Sequence, residues 1–141
     1  MSVDMNFKGM SAEELLARAD EARTRSYSPY SNFAVGAALL CSDGRVFVGC
    51  NIENSAFSPT VCAERVAIFS AVAAGARDFE AIAVSGGPAG ASPIKCTPCG
   101  VCRQVLGEFC PPDFPVVLRG ADGETVVYTL EKLLFAGFSL K

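Results

Sequence analysis

Short apolar runs of strand character alternate with helical segments along this chain, and that alternation limits the possible folds more than any other feature. The first helix opens on Ser11-Ala12-Glu13-Glu14 and ends near Thr24. Its opening is a capping box, in which the serine hydroxyl bonds the backbone at Glu14 and the Glu14 carboxylate reaches back. Segments 33–41 and 45–52 predict two strands joined by Ser42-Asp43-Gly44, whose Asp-Gly suits a tight hairpin turn. Segment 61–74 predicts a second helix, alanine-rich, apolar on nearly every side and stopped by Gly75; such a helix should be central and buried. A short strand over 81–85 leads into a Gly/Pro/Ser loop that runs through Pro98. A third helix over 99–109 follows. Strands over 115–119 and 125–128 then pair around Gly120-Ala121-Asp122-Gly123, and a short helix over 130–135 comes last. The order α-β-β-α-β-α-β-β-α implies an α/β fold of three layers, α/β/α, with one mixed five-stranded sheet and helices on both faces. Residues 1–10 read as a loose leader, and no repeat or linker divides the 141 residues, so one domain is expected.

Composition narrows the function. Half of the residues are apolar, enough for a core without disulfide staples, and the seven cysteines form an odd set that disfavours a pure disulfide framework. No segment offers the ~20 unbroken apolar residues of a membrane span, and no basic flank precedes a long apolar run. A cytoplasmic protein with reduced thiols and no membrane partner is therefore expected. Fifteen acidic against twelve basic residues give a net charge of −3, which disfavours a nucleic acid polymer as partner. Histidine is absent, which excludes Ser-His-Asp and Cys-His pairs and any zinc site using imidazole. Proton transfer then falls to Glu, Asp, Lys, Tyr or Cys.

Two cysteine clusters stand at predicted helix starts: Cys62-Ala63-Glu64, and Pro98-Cys99-Gly100-Val101-Cys102. A mixed sheet can bring two such helix N-termini together at one edge, so that three thiolates converge on a tetrahedral zinc. Three protein ligands leave the fourth corner for water, the layout of a catalytic rather than a structural site. Three thiolates around Zn²⁺ sum to −1, so positive charge must compensate. The helix N-termini supply part of it, and Arg65, three residues after Cys62, can add a full charge and bond the thiolates. Glu64 adjoins a ligand and is the candidate to move protons between water, substrate nitrogen and leaving amine.

Cys62-Ala63-Glu64-Arg65, followed by Pro98-Cys99-x-x-Cys102-Arg103-Gln104, resembles the cytidine deaminase family in its small homotetrameric form. The resemblance extends over nearly the whole chain, through the segment from Tyr27 to Leu39, Asn51-Ile52-Glu53-Asn54, and the closing Leu133-Leu134 and Phe138. Zinc deaminases of this kind use a Cys₃ or His/Cys/Cys zinc and a glutamate that is not a ligand. The resemblance implies one zinc per chain on Cys62, Cys99 and Cys102, with Glu64 as proton shuttle and Arg65 bonding the thiolates. It implies hydrolytic deamination of cytidine and 2′-deoxycytidine in pyrimidine salvage. It assigns Asn51 and Glu53 to a ribose hydroxyl, Phe33 to the face of the pyrimidine and the backbone at Ala63 to the base carbonyl. Carbonyls around Thr97 and Pro98 are expected at the leaving amine, and Phe57 and Phe138 in a neighbouring subunit's pocket. Gln104 and Arg103 either support the site or simply line their helix. Phe57 stands where the family often has tyrosine and Phe135 where it commonly has proline. The first departure opens an alternative, a deaminase of a modified or antibiotic cytosine nucleoside.

Blander arrangements use the same residues. Cys62, Cys96, Cys99 and Cys102 could close a structural Cys₄ zinc, although closed sites rarely place Glu beside a ligand. Cys99 and Cys102 could form a redox pair at a helix start, which leaves Cys-Ala-Glu-Arg unexplained. Cys41, Cys50 and Cys110 read as core thiols, and Cys96 as uninvolved. Tyr27 and Tyr30 read as structural, fixing the loop beneath Phe33.

Overall fold

A computed structural model of the chain describes residues 5–140. Strands β1 (Asn6–Phe7) and β2 (Met10–Ser11) pair with each other and lead into helix α1 (Ala12–Arg23). The expected loose leader is thus partly a small ribbon. Its turn is made by Lys8 and Gly9, both at positive φ, and Phe7 packs with Leu15 and Leu16 in the core. Residues 1–4 of that leader lie outside the described residues. Ser11 caps α1 as expected, its Oγ accepting from the Glu14 amide at 3.1 Å.

The remaining elements are β3 (Phe33–Cys41), β4 (Val46–Cys50), α2 (Ala63–Ala73), β5 (Phe79–Pro88), α3 (Gly100–Phe109), β6 (Pro115–Arg119), β7 (Thr125–Thr129) and α4 (Leu130–Leu133). Five strands form one sheet in the order β4-β3-β5-β6-β7, with β5 and β6 parallel and the other neighbours antiparallel. The sheet is mixed, as expected, and so are its coverings. Ala37, Leu39 and Cys41 of β3, with Ile82 and Val84 of β5 and Val116 and Leu118 of β6, pack with residues of α2, α3 and α4. The intervening Ala38, Leu40, Ala81, Ala83 and Val117 pack with α1. Successive strand residues point to opposite faces, so a strand covered on both sides reads as an unbroken apolar run. Each fully buried leucine or isoleucine in these layers contributes about 2 kcal/mol.

Three of the shifts from the expected boundaries have a clear local reason. Cys62 is extended (φ −79°, ψ 155°) and serves as the N-cap of α2, while Val61 bridges to Ile52, so the helix starts two residues late. The central helix is also not buried all round: Ala63, Glu64, Ala67, Ile68 and Ala71 face inward, whereas Phe69 is 48% exposed. Strand β5 continues through Gly86 and Gly87, which pair with Val35 and Ala34 where a loop was expected. Those glycines do not break the strand. They admit the returning segment, because a Cβ on Gly86 would stand 2.7 Å from Cys96 Sγ and 3.1 Å from the Phe33 ring. Finally, α4 ends at Leu133 rather than at 135, and Ala136 beyond it has positive φ. Among the described residues, no helix is long and apolar enough to cross a membrane.

Candidate active site

Helices α2 and α3 lie on the same face of the sheet and begin at Cys62 and Cys99, both extended N-cap residues. The Sγ atoms of Cys62, Cys99 and Cys102 lie within 4.8 Å of one another, with Cys62–Cys99 at 3.4 Å and Cys99–Cys102 at 3.2 Å. A tetrahedron of Zn–S bonds near 2.3 Å has sulfur–sulfur edges of about 3.8 Å, so the two edges at Cys99 need only lengthen slightly to hold zinc. Cys99 Sγ also accepts from the Cys102 amide at 3.4 Å, one of the free N–H groups of the helix start. Arg65 Nη2 donates to Cys62 Sγ at 3.3 Å, as expected, and its buried Nε has no partner. The guanidinium therefore keeps donor capacity beside a site that gains negative charge when all three thiols ionise.

Protonation follows from these contacts. The neighbouring Cys102 thiol, with Arg65 opposing the burial penalty, holds Cys62 down to about 5. Cys102, coupled to Cys62 and itself buried, keeps its proton more tightly. Metal binding overrides that order by ionising every coordinated thiol. Glu64, in the first turn of α2, is 3% exposed, and burial pushes its carboxyl upward, with the Cys62 thiolate adding to the effect. Its seat depends on Gly49 of β4. A Cβ there would collide with the Ala63 carbonyl and lie 2.6 Å from the Ala67 amide, so only glycine lets the first turns of α2 approach β4 so closely.

Asn51 and Glu53 are brought together by the loop between Ser26 and Phe33. Asn51 Oδ1 accepts from the Ser26 hydroxyl and from the Val35 amide, and Nδ2 donates to the Phe33 carbonyl. One Nδ2 hydrogen remains. Glu53 Oε1 accepts from the amides of Tyr30 and Ser31, and Oε2 accepts from the Ser31 hydroxyl, leaving one lone pair. The Ser31 hydroxyl holds the Glu53 carboxyl below the usual carboxylate range. Tyr27 fixes this loop through its backbone, which exchanges bonds with Asn51 and Glu53, whereas the Tyr27 and Tyr30 rings are exposed. Phe33 is half-buried beside Cys96. Burial raises the Cys96 thiol to about 11, with the Glu64 carboxylate adding to it. Cys96 stands outside the group of three thiols able to share a metal, which removes the closed Cys₄ arrangement.

Other expected residues are placed less centrally. Phe57 (70% exposed, φ 63°) stands edge-on to Tyr30 at 6.1 Å, and Phe138 is 73% exposed. Pro98 O, expected at the leaving amine, already accepts from Arg103 Nε at 2.8 Å, so one of its lone pairs is committed. Gln104 Nε2 donates to the Phe138 carbonyl at 3.3 Å. Arg23 was not foreseen at all. This buried cation donates to the carbonyls of Ala34, Pro88 and Ala91, and so braces the start of the segment that returns toward Cys96 and Cys99. Two of those partners lie 65 and 68 residues away, beyond any local sequence signal.

Three thiols and a buried, non-ligating carboxyl at two helix starts, on one face of a mixed α/β sheet, fit a zinc-dependent enzyme. The family model for the cytidine and deoxycytidylate deaminase zinc-binding region matches residues 10–118. The chain belongs to that family, and it carries a site for a single zinc on Cys62, Cys99 and Cys102. It is 50% identical over 130 residues to a cytidine deaminase of Sporosarcina psychrophila, covering 92% of this chain and 93% of that one. The crystal structure of a cytidine deaminase from Burkholderia pseudomallei superposes with a TM-score of 0.81 at 46% identity, covering 89% of this chain and 98% of that one. A blasticidin-S deaminase of Bacillus cereus is 34% identical over 125 residues, covering 86% and 87% of the two chains.

Proposed function

We propose that the chain deaminates cytidine and 2′-deoxycytidine hydrolytically, giving the uridine forms and ammonia, in cytoplasmic pyrimidine salvage. Zinc bound by the three thiolates supplies a water whose pKa is lowered toward neutrality. Glu64 accepts a proton from the attacking water and delivers it to N3 of the pyrimidine as C4 becomes tetrahedral. It then takes the proton of the new C4 hydroxyl and passes it to the amine, so that ammonia leaves as the C4–N bond breaks and the C4 carbonyl forms. Burial suits the carboxyl to both tasks, because its raised pKa brings the acid and base forms closer in energy. The observation that carries the proposal is Glu64 buried in the helix turn that begins at a zinc ligand.

The substrate contacts are part of the same proposal. Asn51 has one N–H left to give and Glu53 one lone pair left to accept with, and a single ribose hydroxyl satisfies both. Phe33 packs against the pyrimidine, and the backbone N–H at Ala63, free at the first turn of α2, meets the base carbonyl. The 141 residues act as one domain, on a small nucleoside rather than on a polymer or at a membrane. A homotetramer in which Phe57 and Phe138 reach a neighbour's pocket accounts for exposed rings on the chain alone.

A second reading, deamination of a modified or antibiotic cytosine nucleoside, is favoured by one observation. Phe57 lacks the hydroxyl that the family often places there, which makes the pocket rim less polar. Ammonia release from a panel of nucleosides, with zinc per chain measured alongside, separates the two. Cytidine turnover with about one zinc per chain is expected, and Glu64→Ala should lower kcat by ~10²–10⁴ while zinc stays bound. Inertness toward cytidine with turnover of a modified nucleoside selects the second reading. Undiminished turnover by Glu64→Ala refutes the proton shuttle.

A further inference from the structure

Arg103 sits one turn into α3, four residues after the zinc ligand Cys99. Its Nε donates to the Pro98 carbonyl at 2.8 Å, and its Nη1 to the Leu133 carbonyl at 2.7 Å. One guanidinium thus joins the residue that immediately precedes a metal ligand to the last residue of α4. Beyond α4 the chain stays against α3. Gln104 holds the Phe138 carbonyl, and Leu134 lies so close to Gly107 that a Cβ there would be 3.0 Å from Leu134 Cδ2. The helix that supplies Cys102 therefore also sets where the C-terminal aromatic segment lies.

A cation in the first turns of a helix is opposed by the helix dipole, so charge alone is a poor reason for arginine at this position. Its planar fork is a better one. Two donors held in fixed geometry can span two carbonyls from different segments, whereas a lysine ammonium on a flexible stem is a single point of attachment.

We propose that Arg103 is a positioning residue that couples the zinc-ligand turn at Pro98–Cys99 to the C-terminal segment carrying Phe138. Metal retention and substrate binding then depend on the same side chain. The substrate half of this coupling rests on the deaminase function proposed above; the metal half does not.

The test compares Arg103→Lys and Arg103→Gln with the parent, after circular dichroism has confirmed that each is folded. Zinc transfer to a chromogenic chelator is followed without substrate, and kcat and KM for cytidine are measured separately. Both variants should release zinc about tenfold faster or more, the effect typical of groups that support metal ligands. Both should also raise KM several-fold more than they lower kcat. Phe138→Ala should raise KM in the parent but add little in Arg103→Gln, because the ring is already misplaced. Rescue by lysine of both zinc retention and KM would show that charge suffices and overturn the proposal. Strictly additive effects of the Arg103 and Phe138 substitutions would break the coupling. Should the parent fail on cytidine, the deaminase function fails, while the zinc-release comparison still decides the metal half of the coupling.

Discussion

Replacing Gly49 by alanine adds one methyl group on β4, away from every ligand in sequence, yet it should damage the active site. The new Cβ would meet the Ala63 carbonyl in hard overlap and stand 2.6 Å from the Ala67 amide and 2.9 Å from Val66 Cβ. Ordinary contact needs about 3.5 Å, so the first turns of α2 must retreat by ~0.9 Å. Neither neighbouring backbone atom can move independently of the helix. Overpacking of this kind typically costs ~1–3 kcal/mol, offset by ~0.4–1 kcal/mol from the lower entropy of the unfolded alanine chain. A fall in melting temperature of roughly 2–8 °C follows for a chain of this size. The functional loss should be larger, because Cys62 and Glu64 ride on the displaced turn and ~1 Å of misplacement can lower the rate by ~10²-fold. Gly100→Ala is the matched control. Gly100 adjoins a zinc ligand, but a Cβ there meets nothing within 4 Å, and alanine in a helix is favoured over glycine by ~1 kcal/mol. Differential scanning calorimetry and cytidine turnover should show Gly49→Ala impaired in both, and Gly100→Ala with an unchanged or raised melting temperature. Wild-type kcat in Gly49→Ala would refute the claim that the β4–α2 contact seats the site.

Two further substitutions probe charge and capping. Arg65→Gln removes the cation that donates to Cys62 Sγ, and chelator competition should show zinc affinity lowered by ~10–100-fold with the fold intact. Ser11→Ala deletes the α1 cap, which should cost about 1 kcal/mol and lower the melting temperature by ~2–5 °C, with kcat at 25 °C unchanged.

The sequence is most informative where chemistry is local. Cys62, Glu64 and Arg65 share one turn of helix, Cys99 and Cys102 another, and their spacing alone places the thiols on two helix starts. Strand β3 is legible for a similar reason, since an unbroken apolar run ending at Asp43-Gly44 has few other fates. Gly86 and Gly87 mislead, because glycine in a strand and glycine in a loop look alike until the segment that crosses them is known. Arg23, Arg103 and the bracing role of Asn51 are illegible in another way. Each works through backbone carbonyls or amides of distant segments, and a carbonyl belongs to every residue type, so no pattern of side chains marks the partner.

Asn51 also limits how this enzyme can change. Its amide oxygen is filled by Ser26 and Val35, and one of its two N–H groups is held by Phe33, so the side chain joins the end of β3 to the loops around it. An aspartate of the same shape would set a carboxylate oxygen against the Phe33 carbonyl, and a shorter residue would unfasten the strand. With the ribose contact proposed above, drift or engineering toward a different sugar therefore has little freedom at position 51. Variation that keeps the fold has to enter through Glu53 and the Tyr30–Ser31 turn, where partners are exposed and can be exchanged together.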